Sequence, residues 1–251
     1  VRSRGLGDVY KRQINHRLDS LLPWVDHIQS MGVNAVYLGP VFQSSSHGYD
    51  TADYYRVDQR LGDQETLARL SRTFHDRGIR LVLDAVFNHV GRDFWAFQDV
   101  LTHGKNSLYR DWFANLNFDR QSPLGDPFQY ESWQGHYSLV KLNLLNAHVR
   151  EHLFGAVGMW MDTFEIDGLR LDAADCVDMD FMKGLHDFTK QRKPDFWLMG
   201  EVVHGDYREW ANPQTLDSVT NYEGYKGLYS SLNDANYHEI AYSLTLSLIH
   251  I

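Results

Sequence analysis

Gly168-Leu-Arg-Leu-Asp-Ala-Ala-Asp175 is a short apolar run, preceded by a helical pattern, that carries an arginine and an aspartate two residues apart. Side chains alternate across a strand, so Arg170 and Asp172 project to one face. A carboxylate beside a guanidinium stays ionised at neutral pH, as a nucleophile or a metal ligand must. A salt-bridged strand end fits the same stretch equally well. The flanking segments decide between the two readings.

Downstream, the pattern predicts a helix over Phe181–Lys190, a strand Phe196-Trp-Leu-Met-Gly-Glu-Val202 and a last strand Ser218-Val-Thr-Asn-Tyr-Glu223. Upstream, Val149, Leu153, Val157, Trp160 and Phe164 mark a helical face. Before that, Ile79 to Phe87 reads as an apolar strand with Asn88-His89 at its C-terminal end. A helix precedes it, with Asp63 as N-cap, Leu67, Leu70 and Phe74 on one face and Gly78 just beyond. Asn34-Ala-Val-Tyr-Leu-Gly-Pro40 is a short buried strand, and Leu18 to Met31 an amphipathic helix whose Leu21, Val25 and Ile28 share a face before Gly32. Gln43 to Asp58 reads as a polar loop.

Helix and strand alternate, which predicts parallel β/α architecture. Each strand gathers its polar residues at the C-terminal end, where β/α barrels keep their catalytic groups. A doubly wound sheet would carry a Gly-rich dinucleotide fingerprint at a strand-to-helix turn, and none occurs. The expected fold class is therefore α/β, a partial (β/α)8 TIM barrel comprising about strands 2–6. The alternation pauses only between Asp93 and about Leu139, a stretch without sustained periodicity and too long for a structureless loop in a compact domain.

The bulk composition narrows the function class. The chain has 251 residues and a formal net charge of −9 with no basic stripe, so a nucleic-acid partner is not expected. No apolar run approaches the roughly 20 residues of a membrane span, and Val1 to Gln13 lacks the apolar core of a secretory signal. A single cysteine, Cys176, leaves no internal disulfide and no zinc-ligand cluster. These features are compatible with a reducing compartment, and the cytoplasm is the expected location. Aromatic residues make up 14%, which suits stacking on sugars as well as filling a core.

Three strand ends then carry chemistry: Asp84 and His89 on one, Arg170 and Asp172 on the next, Glu201 on a third. Asp172 and Glu201 are 29 residues apart, about one strand–helix unit, which puts them on adjacent strands facing one cleft. Retaining glycoside hydrolysis needs such a pair, about 5–5.5 Å apart, one as nucleophile and one as acid/base. Arg170 should keep Asp172 ionised. Glu201, near that negative charge and flanked by Met199 and Val202, should hold its proton more tightly. A metal-dependent barrel hydrolase would want several histidines at strand ends, and only His89 qualifies.

Three motifs, DAVFNH at Asp84–His89, GLRLDAAD at Gly168–Asp175 and GEVVH at Gly200–His204, resemble those of the α-amylase superfamily of retaining α-glucan hydrolases and transglycosylases. The resemblance implies Asp172 as nucleophile and Glu201 as general acid/base. It places Arg170 and His89 against the sugar at the cleavage subsite, with Asp84 as a supporting carboxylate. Tyr49 matches the tyrosine that stacks on the same ring, and His204 is a candidate for the leaving-group side. No cofactor is required; Ca²⁺ at Asn88 is the one metal the resemblance admits, since hard oxygen ligands suit it. Leu139-Val-Lys-Leu-Asn143 resembles the neopullulanase, cyclomaltodextrinase and maltogenic amylase branch, which implies α-1,4-linked maltodextrins as substrate, and a homodimer is admissible for the full-length parent.

The same resemblance divides the chain into barrel segments 14–92 and 140–243 with a small protruding domain, 93–139, after the third barrel strand. Residues 1–13 and 244–251 differ in character from what they adjoin and are expected to be a non-native leader and tail. Neither the family's first strand nor the aspartate that follows a histidine on its seventh strand is found, so the 251-residue chain is expected to be an incomplete, inactive or barely active fragment of an active parent. A transglycosylase on the same scaffold and a non-catalytic amylase-like binding subunit are the alternatives. Such binding subunits lose the nucleophile or the acid, whereas Asp172 and Glu201 are both present.

Overall fold

The computed structural model describes residues 14–250, with side chains through 244, so the leader expected at 1–13 and most of the tail lie outside the described side chains. Its centre is a five-stranded parallel sheet built from β1 (Ala35–Leu38), β4 (Arg80–Ala85), β8 (Gly168–Leu171), β9 (Trp197–Gly200) and β10 (Ser218–Val219), adjacent in that order. Between them in sequence lie β2 (Phe42–Ser44), β3 (Thr51–Val57), β5 (His89–Gly91), β6 (Ser132–Trp133) and β7 (His136–Lys141). All five strands expected of the barrel are present in the expected sequence, and among the described residues the sheet is open, with β1 and β10 as its edges.

β8 is buried on both faces, and so is β4 beyond Arg80, which explains why they read as continuous apolar runs. Leu83 pairs with Leu169 and Asp84 with Arg170 across the β4–β8 ladder, and Arg170 with Met199 across β8–β9. The strands approach closely at Gly168, where an added Cβ would meet the Trp197 carbonyl oxygen at 2.5 Å. β1 departs from the buried strand expected there. Among the described residues it pairs on one side only, with β4, and leaves Ala35 and Tyr37 exposed.

The helices follow the caps written in the sequence. α1 (Val25–Ser30) continues from a 3-10 segment, Arg17–Trp24. The single helix expected over this region is split because Pro23 lacks an N–H and cannot continue the α-helical ladder. α2 (Gln64–His75) starts at Asp63, whose carboxylate accepts Thr66 N at 2.8 Å. α3 (Trp95–His103) lies inside the aperiodic stretch. α4 (Ala147–Phe164) and α5 (Met179–Arg192) are capped by Asn146 and Asp178. α6 (Tyr222–Asp234) and α7 (His238–His250) complete the described chain.

Two segments read as irregular are ordered sheets. Gln43 to Asp58 contains the antiparallel pair β2–β3, and Tyr54 on it is buried, with Trp160 Nε1 donating to its carbonyl at 2.8 Å. β5, β7 and β6 form a second antiparallel sheet in that order, so the Asp93–Leu139 excursion is tied back to the residues just after β4. Its Phe97, Phe113, Phe128 and Tyr130 belong to the same apolar core as Leu83, Leu169 and Trp160. The Trp160 ring stacks on Phe42 at 4.0 Å, and burying a side chain of that size contributes roughly 2–3 kcal/mol.

Candidate active site

The C-terminal ends of β4, β8 and β9 bring Asp84, Arg170, Asp172 and Glu201 together. Arg170 is the hub. Its Nη1 donates to Asp84 Oδ1 at 2.9 Å and Oδ2 at 3.1 Å and to Asp172 Oδ1 at 2.9 Å, while Nη2 stands 2.7 Å from Glu201 Oε2. Sequence reading gave this cation to Asp172 alone; the structure divides it among three carboxylates, because β4 and β9 flank β8 in register. Asp172 and Glu201 therefore occupy the two prongs of one planar guanidinium.

Sharing one cation three ways has an electrostatic consequence. Asp172 is pushed up to about 6, first by burial and then by Asp84 and Glu201, against the pull of Arg170. The expectation that Arg170 keeps Asp172 ionised is corrected in degree: desolvation is the largest influence, and the carboxylate is mostly ionised only above about pH 6. Asp84 is raised for the same first reason, although Arg170 and the Tyr37 hydroxyl, which donates to Oδ2 at 2.6 Å, oppose the rise. Burial and the Asp84 contact raise the Tyr37 phenol, so it is held as a neutral donor.

His89 is almost fully buried and pushed down to about 4, chiefly by desolvation, so its imidazole is neutral near pH 7. Its Nε2 lies 3.9 Å from Asp172 Oδ2 and has no hydrogen-bond partner, which leaves it free for a hydroxyl of a bound molecule. Glu201 accepts Ala173 N at 3.3 Å and the Tyr222 hydroxyl at 2.9 Å. Ala173 holds φ at +44°, the left-handed bend that turns the chain sharply after Asp172.

These groups open into a cavity of about 640 Å³. Its lining combines His89, Arg170, Asp172 and Glu201 with a second group, Trp133, Gln134 and His136 from the β6–β7 hairpin, and with Tyr49, Asp175 and Val203. Trp133 stacks on His136 at 5.5 Å and lies 5.7 Å from His89. Sequence reading missed this second group, along with Tyr37 and Tyr222. Its one local signal was Gln134-Gly135, which turns the hairpin with φ of +46° and +82°.

Besides Asp84, which contacts Arg170 without lining the cavity, two sequence candidates do not join it. His204 is 82% exposed at its side chain and faces Glu223 at 3.7 Å, and Val203 lines the cavity in its place. Asn88 is buried with Oδ1 unpartnered, the kind of orphan oxygen a hard cation could use. No group of three or more His, Cys, Asp or Glu gathers to hold a metal among the described residues, and Asn88 Nδ2 stands 3.2 Å from His89 Nδ1. No described helix is long and apolar enough to cross a membrane.

Known proteins share this framework. A family profile described as "Alpha amylase, catalytic domain" matches residues 17–247. Over 209 residues the chain is 38% identical to a cyclomaltodextrinase of Geobacillus thermopakistaniensis, covering 82% of this chain and 34% of that protein. An intracellular maltogenic amylase of Bacillus subtilis (strain 168) is 36% identical over 206 residues, with 82% and 34% covered. Among solved structures, the ligand-free cyclic α-maltosyl-(1→6)-maltose hydrolase of Arthrobacter globiformis has a TM-score of 0.85 at 32% identity, covering 93% of this chain and 53% of that one. The chain spans about a third of the length of these two curated relatives.

Proposed function

Because the chain belongs to the α-amylase family, whose neighbours are (β/α)8 barrels, we propose that its site cleaves α-1,4-glucosidic bonds of maltodextrin-type glucans with retention of configuration. The observation that carries this reading is the pair Asp172 and Glu201 on two prongs of Arg170, open to a cavity large enough for sugar rings. Asp172 attacks the anomeric carbon as Glu201 protonates the departing glycosidic oxygen, and a glycosyl ester on Asp172 results. Glu201 then takes a proton from water, whose oxygen displaces Asp172 from the same carbon.

The remaining residues serve that exchange. Asp84 and Tyr37 hold Arg170 so that its free edge meets both reacting carboxylates. His89 Nε2 bonds a hydroxyl of the reacting sugar, and Tyr49 stacks on its ring. Trp133 and His136 line the cavity for the adjoining units. Relatives named cyclomaltodextrinase and maltogenic amylase, together with Val140-Lys-Leu-Asn143, favour short or cyclic maltodextrins as substrate.

Maltotriose hydrolysis by the full-length parent, followed by proton NMR, tests the reading. The α-anomer is expected to form first, and a fluorinated glucosyl fluoride that traps the intermediate is expected to modify the peptide bearing Asp172. Initial release of the β-anomer, or a trapped sugar on another peptide, would overturn it. Oligosaccharides longer than maltotriose in the same tube would identify a sugar hydroxyl, rather than water, as the acceptor.

A further inference from the structure

Glu201 is gripped from a direction that neither Arg170 nor the motif around it supplies. The strand β10 ends at Val219, and the next residue, Thr220, bonds to both neighbours of Glu201: Thr220 N donates to the Gly200 carbonyl at 2.9 Å, and Val202 N donates to Thr220 Oγ1 at 3.1 Å. Two residues later Tyr222, the first residue of α6, donates its hydroxyl to Glu201 Oε1 at 2.9 Å. The following residue is also anchored, since Glu223 N donates to the hydroxyl of buried Tyr207 at 3.3 Å. Thr220 to Glu223 is thus pinned before and after the tyrosine. The phenol is raised by this same bond and then by burial, so it stays a donor.

The two oxygens of Glu201 have different partners. Oε2 meets Arg170 Nη2 at 2.7 Å and Ala173 N at 3.3 Å; Oε1 meets Tyr222. Held by Oε2 alone, the carboxyl would pivot about its terminal torsion, which is broad and only weakly restricted. A bond to each oxygen sets the plane. Building on the functional reading above, we propose that Tyr222 is a positioning residue for the acid/base: it fixes the carboxyl plane of Glu201 so that Oε1 is presented to the glycosidic oxygen. Tyr222 acts through Glu201 and carries no proton in the reaction.

Two measurements on Tyr222→Phe, made in the full-length parent, test this, and the residue is 38% exposed, so losing its hydroxyl is structurally mild. The first compares kcat/KM for maltotriose, whose leaving group needs a proton, with that for α-maltosyl fluoride, whose fluoride leaves without one. The variant is expected to lose about tenfold on maltotriose and less than twofold on the fluoride. Equal losses on both, or none on maltotriose, overturn the proposal. The second needs no turnover: carbodiimide labelling read by mass spectrometry should modify Glu201 at least threefold faster in the variant, with Asp175 and Glu223 as unchanged internal standards. An unchanged Glu201 rate overturns the proposal. A wild-type full-length parent inert to both substrates, yet showing the labelling difference, sinks the glucan-cleaving reading and leaves the positioning contact standing.

Discussion

Asp167 and Asp172 bracket the same strand: one residue precedes β8 and the other follows it. Each is 8% exposed. Their ionisation moves in opposite directions. For Asp167, burial alone would raise the carboxyl, but three donors reverse it: Lys193 Nζ at 2.5 Å, Leu81 N at 2.7 Å and His75 Nε2 at 2.8 Å. For Asp172, burial prevails, because its one cation is shared with Asp84 and Glu201 and both add repulsion. At the lower end of the strand donors outnumber the acceptor, and at the upper end acceptors outnumber the donor. An α/β barrel keeps stability at the first end and chemistry at the second, and this strand shows the division at the level of single hydrogen bonds.

The sharpest break of that comparison is Asp172→Asn. On the proposed function it removes the nucleophile, so kcat/KM of the full-length parent for maltotriose should fall by about four orders of magnitude or more. Removing a destabilised charge should at the same time leave thermal stability unchanged or slightly higher. A variant that melts well below the wild type would show that Asp172 is structural and that the two ends of the strand do not differ in kind.

Asp167→Asn is the converse. It should leave KM and the pH profile alone while costing about 2–3 kcal/mol, because it strands Lys193 and one or two other donors at a mostly buried site. In a domain of this size that lowers Tm by roughly 5–10 °C. Turnover lost without any loss of Tm would contradict the assignment of this end to stability.

The pH dependence separates the two carboxylates. Asp172 has a folded value of about 6, above the unfolded value of about 3.9, so the folded state binds its proton more tightly and the group adds stability as pH falls from 7 to 5. Asp167 is depressed, so its contribution is present above about pH 4 and is lost only as pH falls below that. Subtracting Asp172→Asn from wild type cancels the opposing effect of His89, which is pushed down to about 4 and destabilises the fold as pH drops below its unfolded value. The difference should move in favour of the wild type by about 1 kcal/mol between pH 7 and pH 5 in urea titrations. Turnover should move the other way, with kcat/KM falling below about pH 6 as Asp172 takes up its proton. A flat stability difference would mean that burial does not govern Asp172.

The same strand shows what could be read from sequence and what could not. Alternating periodicities yielded the five parallel strands, and local runs such as Leu83-Asp-Ala-Val-Phe-Asn-His89 carried Asp84, His89, Arg170, Asp172 and Glu201 to one end of the sheet. Each of those depends on spacing within a few residues of a strand end. Contacts between distant segments stayed hidden: Tyr37 reaches Asp84 from 47 positions away and Tyr222 reaches Glu201 from 21. Trp133 sits in a stretch with no period, brought to the cavity by a hairpin whose two positive-φ residues are a weak signal. Nothing local singles out Asp167, because its partners His75 and Lys193 lie 92 and 26 positions away. Charge balance was the least readable quantity. It depends on counting donors and acceptors across four elements, and for that reason Arg170 was assigned to one carboxylate when it serves three.

The smallest test asks whether the lower end depends on its cation or on its backbone donor. Lys193 is the shortest contact to Asp167, yet its side chain is 33% exposed, so water and salt screen the pair and its net worth should be modest. Leu81 N, by contrast, belongs to the first residues of β4 and has no water to turn to if Asp167 is lost. Lys193→Ala should therefore cost only about 0.5–1 kcal/mol, or roughly 2 °C in Tm, well below Asp167→Asn. If the two substitutions cost the same, the lysine alone carries the interaction, and the excess of donors that distinguishes Asp167 from Asp172 reduces to a single ion pair.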